Sequence, residues 1–297
     1  MKKLLVLLFL FSGLAIAQTP SNYITDSKGR EVLWGEFEMA DLHRPAFVDW
    51  FQKGYDAYSP DESVLKELKE QLKGHQIKVF MGTWCGDSKR EVPKVIKLFA
   101  ELDFPKQDAT LIALRGDGEY YKQGPNGETV GSNIHRVPTI IISKNGQEIG
   151  RIVEEPKVSL EADLLAIVKG DYTANYALAN SLGGLLDEDP QKNLSNKKIA
   201  KLAKKWAGKA DNHYELNTLS YVLQTQNRDL QALSVLKLNA ILFEQEAQAH
   251  YRLGKQLEDL QKYDAAAASY AKATELKPDI TDYSIALKRA KAGKSGK

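Results

Sequence analysis

Cysteine is all but missing from this 297-residue chain, with Cys85 the only one. A lone thiol cannot close an internal disulfide, so no disulfide framework holds the fold. Histidine is sparse: His43, His75, His135, His213 and His250 stand at no metal-ligand spacing and complete no nucleophile–base motif. Metal-dependent and carbohydrate hydrolases therefore find no support, and neither a metal nor a cofactor is expected. An excess of one charge is lacking too, since 41 Lys+Arg stand against 39 Asp+Glu. Such a chain offers no global field for nucleic acid or an anionic membrane. The length allows two domains, each with its own core.

Apolar runs long enough to span a membrane are missing as well, and the nearest is residues 1–17, MKKLLVLLFLFSGLAIA. Two lysines, a short apolar run and small residues before Gln18 have the layout of a secretory signal peptide cleaved after Ala17. No cysteine follows to carry a lipid. The expected product is bacterial, soluble, and periplasmic or secreted, free of the membrane after cleavage. Loss of Lys2 and Lys3 leaves it close to neutral. In an oxidising compartment its unpaired thiol is either shielded or reactive with a partner.

The chemistry centres on KVFMGTWCGDSK at 78–89, where an apolar strand runs into Cys85 and then into a helix. Val92, Val95, Ile96, Phe99 and Leu102 share one face of that helix, so the thiol opens it. Peptide dipoles and unpaired N–H groups at a helix start favour negative charge and hence a nucleophilic thiolate. The alternative is a small buried hydrophobe, as free cysteines often are. Further on, IHRVPTIIISKNG at 134–146 reads as a loop, a proline, a β-branched strand and an Asn-Gly turn into a second strand.

WCGDS after a strand, with VPTIIISKNG before another, resembles the thioredoxin superfamily over roughly residues 61–170. The resemblance implies an α/β thioredoxin-like fold, a central mixed sheet flanked by helices. It makes Cys85 the nucleophile, set among Trp84, Gly86, Asp87 and Ser88. It also implies a cis Val137–Pro138 bond facing Cys85, with Arg136, Val137, Pro138 and Thr139 forming the edge on which an extended peptide pairs.

Three departures follow. Ser88 stands where the family has its resolving cysteine, Asp87 where many members have proline, and Val79 in place of a buried carboxylate. A serine forms no disulfide, so dithiol cycling is disfavoured, and a mixed disulfide must be released by another client thiol or an external thiol donor. Ser88 is expected to donate a hydrogen bond to the thiolate, and Asp87 to oppose its ionisation. With no buried base, the helix start is left to tune the thiol, together with His135, Arg136 or Lys89; the other reading of His135 is a solvated loop residue.

Residues 18–60 are expected to be an extension packed on this domain, with a strand at 31–37 and an aromatic helix at 45–58. Phe47, Trp50, Phe51 and Tyr55 on that helix either pack on the core or serve function, as a cap over the Cys85 site or a partner face. Helices at 61–72 and 159–169 and strands at 76–81, 108–114, 139–143 and 147–153 complete the domain. The glycine- and tyrosine-rich stretch 115–136 is expected to be a surface loop with at most a short helix, a candidate wall of the substrate groove.

From 171 to 297 no strand pattern remains, and the chain repeats itself every 34 residues: Leu219-Ser220 against Leu253-Gly254, Ala232 against Ala266, Leu236 against Tyr270. The unit at 247–279, with Leu253, Gly254, Tyr263, Ala266, Tyr270, Ala273 and Pro278, resembles a tetratricopeptide repeat. The unit at 214–246 is a weaker copy, with Ser220 for glycine and Asn239 for alanine. Leu182-Gly183 opens a weaker one still, with an irregular link at 188–195, and a helix at 281–291 caps the stack. This implies an all-α domain that binds a protein or peptide. Lys197, Lys198, Lys201, Lys204 and Lys205 form a solvated face or meet an acidic partner.

The expected protein is thus an exported monothiol thioredoxin-like factor. Cys85 would form mixed disulfides with client proteins held partly by the repeats, as an isomerase, a thiol-dependent reductase or a redox-linked chaperone. The alternative is a non-catalytic peptide- or protein-binding adaptor whose thiol is idle.

Overall fold

The computed structural model describes residues 22–189 and 193–295; the signal peptide expected at 1–17 and part of the link at 188–195 lie outside them. A short hairpin of β1 (Tyr23–Thr25) and β2 (Glu31–Leu33) precedes a five-stranded sheet. The sheet contains β3 (Gly35–Phe37), β4 (His75–Met81), β5 (Ala109–Ala113), β6 (Thr139–Lys144) and β7 (Gln147–Val153), in the order β3-β5-β4-β6-β7. β4 runs parallel to β5 and antiparallel to β6, so the sheet is mixed.

The single strand expected at 31–37 is broken. Trp34 donates its backbone N–H to Asn22 O at 2.7 Å and its indole N–H to Gln123 O at 3.0 Å. Gly35 then takes φ +104, a region that favours glycine, and the chain leaves the hairpin for the main sheet. The segment before residue 61 therefore supplies an edge strand as well as a packed helix. At the other edge, Asn145 and Gly146 at φ +52 and +76 turn β6 into β7.

Side chains alternate across β4. Ile77, Val79 and Met81 enter a large apolar cluster with Phe51 of α1 (Val48–Ala57), Leu68 of α2 (Glu62–Gln71), Val92 of α3 (Gly86–Glu101) and Leu164 of α4 (Leu160–Lys169). Of the two readings of the aromatic helix, the core one holds, because Phe47 and Phe51 are buried in this cluster. Asp61 caps α2 by accepting from Ser63 N–H, and Ser159 caps α4 by accepting from Ala162 N–H. α3 continues through Pro93, and Gly54 lets α1 come close there, since a Cβ at Gly54 would sit 3.0 Å from the proline ring. Phe80 points to the opposite face. It joins Ile112, Leu114, Ile134, Val137 and Ile141, with Trp84 and Cys85 against them.

The rest of the described chain is helical: α5 (Ala177–Asp187), α6 (Asn196–Trp206), α7 (His213–Thr225), α8 (Asp229–Leu242), α9 (Ala247–Asp259), α10 (Tyr263–Leu276) and α11 (Thr281–Ser295). α7, α9 and α11 begin 34 residues apart in turn, as do α8 and α10. Gly254 faces the ring of Tyr270, which is fully buried. In the preceding pair, Asn239 is fully buried and donates to His213 O at 3.0 Å and Asn217 Oδ1 at 2.9 Å, so the amide that replaces a small residue ties α8 to α7. No helix among the described residues is long and apolar enough to cross a membrane.

Candidate active site

Cys85 follows β4 and is the N-cap residue of α3, half-buried at the bend. Its thiol donates to the carbonyl oxygen of Val137 at 3.3 Å, and the Val137–Pro138 peptide is cis. The two motifs, far apart in sequence, thus meet at one sulfur. Trp84 lies beside them with its indole N–H on Leu114 O at 2.8 Å. Gly82 and Gly116 flank the indole, and a Cβ on either would come within 2.5 Å of it. Gly86 is exposed and begins the helix.

Ser88 makes a bond that the sequence does not announce. It is fully buried, and its hydroxyl oxygen accepts the backbone N–H of Gly82 at 3.1 Å. The hydroxyl thus stitches the end of β4 to the start of α3. Asp87 is half-exposed and paired with Arg90 at 2.7 Å, so a cation answers the carboxylate expected to oppose ionisation.

The residues around the cis bond are engaged. Thr139 is buried and its hydroxyl donates to Arg136 O at 2.8 Å. Arg136 pairs with Glu154 at 2.8 Å, lies over the ring of Tyr176 at 4.4 Å, and donates to Thr218 Oγ1 of α7 at 3.4 Å. Tyr176 donates its hydroxyl to the same Glu154 carboxylate.

His135 is not a solvated loop residue. It is buried edge-on to Tyr176, because the chain must turn inward there to bring Val137 against Cys85. Burial, with the cations of Lys122, Arg151 and Arg136 nearby, pushes its imidazole down to about 3. It is therefore neutral at working pH and gives the thiol no positive charge. Lys89 lies 5.9 Å from the ring centre of Trp50, in the layer of helices.

Compared with protein-family models, curated proteins and solved structures, the chain matches none.

Two contributors escaped the sequence reading. Lys122 is buried and donates to His135 O at 2.6 Å, holding the loop at 115–136 to the segment that carries the cis bond. A lysine within a polar, glycine-rich stretch bears no mark of burial. The second is α7. Tyr121 of the loop packs 6.2 Å from Trp84 and 4.9 Å from Tyr221, so the helical region reaches the thiol site through a run of aromatic rings. The same loop donates from Gln123 to Thr225 O at 3.2 Å and from Asn133 to Asn180 O at 2.9 Å. A cleft of about 630 Å³ lies between loop and helices, lined by Tyr120, Gln123, Gly183, Leu223 and Arg228 among others; Cys85 does not line it.

Proposed function

We propose that this chain is an exported monothiol thioredoxin-like protein, with its thioredoxin-like unit at 61–170 and tetratricopeptide-like repeats from 171, that forms mixed disulfides with client proteins through Cys85. One observation carries the reading: a half-buried thiol at the first turn of α3 hydrogen-bonds the carbonyl of a cis Val–Pro pair. The central mixed sheet, the stacked helices and the 34-residue spacing of helix starts support the two family resemblances.

In the exchange step the Cys85 sulfur, having lost its proton, attacks one sulfur of a client disulfide. A new S–S bond forms, and the other client sulfur leaves with the electron pair as a thiolate. Ser88 cannot resolve this bond, so release falls to a second client thiol, which is isomerisation, or to a small external thiol.

A second reading, a peptide-binding adaptor with an idle thiol, draws support from one fact. The Cys85 thiol already has an intramolecular partner, the Val137 carbonyl.

Trapping separates the two. Cells making tagged wild type or Cys85→Ala are quenched with a thiol-blocking reagent, and the purified species are run without reductant. Reducible high-mass species found only with wild type are the expected result. A wild type that stays free and alkylatable while both forms recover the same partners would sink the redox reading. N-terminal sequencing of the product, expected to begin at Gln18, tests the export signal.

A further inference from the structure

The exposed side of α7 is unusual for a surface helix because it carries no charge. Tyr214, Asn217, Thr218, Tyr221, Gln224 and Thr225 make it up, and the only carboxylate of the helix, Glu215, is turned inward to accept Ala179 N–H at 2.8 Å. Surface helices normally hold ionised residues there. Two of these residues reach the thiol site: Thr218 accepts from Arg136, next to the cis bond, and Tyr221, one turn on, packs on Tyr121. Tyr121 in turn packs on Trp84, the residue before Cys85.

Tyr221 nevertheless remains 45 % exposed. An aromatic ring packed on one neighbour and partly open to solvent has room for another ring or an apolar side chain. Arg136, which donates to Thr218, is already matched by Glu154, and Lys122, 5.1 Å from the ring centre of Tyr121, is buried on His135 O, so neither places a demand for a negative ligand.

Resting on the function proposed above, we infer that Tyr221 of the helical region is a specificity-determining residue of the Cys85 site, which with Tyr121 and Trp84 receives an aromatic side chain beside the reacting cysteine of an uncharged client segment. The helical region is then part of the thiol site itself. The aromatic run continues from Cys85 to Tyr221, and the uncharged face of α7 fits a neutral polypeptide better than an acidic or basic one. Aromatic pairs add about 0.5–1.5 kcal/mol beyond burial, which corresponds to roughly a twofold to tenfold preference.

The test uses the full chain and two short neutral peptides with a pyridyl disulfide on their cysteine, one with phenylalanine beside it and one with glycine. Cys85 attacks the peptide sulfur, the probe S–S bond breaks, and pyridine-2-thione leaves and is read by absorbance. Wild type is expected to prefer the phenylalanine peptide by roughly twofold to tenfold. Tyr221→Ala should lower the ratio of the two rates toward one, Tyr221→Phe should keep it, and Ile285→Ala on α11 should leave it unchanged. A Tyr221→Ala ratio equal to that of wild type, or a wild-type ratio of one, overturns the inference. If wild type reacts with neither probe, the redox function fails. The same peptides with serine for cysteine then decide the aromatic site by the same ratio, read as affinities.

Discussion

Lys122→Met changes stability in a way that depends on pH, and the direction follows from burial. Lys122 is 6 % exposed, and its ammonium donates to His135 O at 2.6 Å. Burial first, then the charge of Arg136, pull it from 10.5 down to about 8, while Glu154 and Cys85 pull the other way. Between those values the unfolded chain binds more protons than the folded one, so this lysine makes stability rise with pH. From pH 7.5 to 9.5 its share grows by about 2 kcal/mol. Urea unfolding of Cys85→Ser and Cys85→Ser/Lys122→Met at both pH values isolates that share, with no thiol present to titrate. Tyr58, Tyr172 and Tyr176, all raised chiefly by burial, titrate alike in both proteins and cancel. The ranking at one pH also contains the lost bond to His135 O, worth about 1–3 kcal/mol if the carbonyl is left unpaired. The change with pH therefore carries the test. The lysine-containing protein should gain on the methionine variant by about 2 kcal/mol toward high pH. A difference between the two proteins that is the same at both pH values, or that shifts toward the methionine variant at high pH, refutes the burial argument.

Gly183→Ala would set a Cβ 1.7 Å from Asn133 Oδ1 and displace the side chain that ties the loop to α5. Unfolding should show a net cost of about 1 kcal/mol. With Asn133→Ala already present, the same change should instead stabilise by about 1 kcal/mol through helix propensity, and equal effects in both backgrounds would clear Asn133 as the obstacle. Glu161 accepts from Tyr58 OH at 2.5 Å and Asp61 N–H at 2.9 Å; burial pushes its carboxyl up, but these bonds outweigh it and hold the carboxyl below the usual range. The stability it confers is complete above the unfolded carboxylate range and is lost as pH falls through the lower folded value. Glu161→Gln should thus cost about 1.5–3 kcal/mol at neutral pH, with the deficit shrinking in acid. Gly254→Ala would put a Cβ 2.6 Å from the buried ring of Tyr270, and thermal unfolding should register a loss of about 1–3 kcal/mol.

The sequence exposed the fold wherever pattern and partner were local. The β-branched run of β6, the Asn-Gly turn, the caps at Asp61 and Ser159 and the 34-residue spacing each bury a face or satisfy a backbone group within a few residues. The strand at 31–37 misled because its alternation conceals the switch of sheets at Trp34, which depends on Gln123. At the site, Cys85 and Val137 were legible as a pair of motifs, but what surrounds them was not. His135, Lys122 and Tyr221 owe their roles to where the loop at 115–136 lies, and contacts with α5 and α7 hold that loop. Period and composition contain no record of such distant docking.

The order of the chain gives the aromatic run a consequence in time. Cys85 precedes Tyr221 by 136 residues, with the loop that joins them in between. At about 5–20 residues per second, a growing polypeptide carries its thiol for roughly seven to twenty-seven seconds before Tyr221 is added. Through that interval the sulfur has its strand and helix but not the ring of Tyr221 behind Tyr121, so the preference proposed for Tyr221 belongs only to the finished chain. Residues 22–170 made alone would lack Tyr221 and, with it, the proposed aromatic preference.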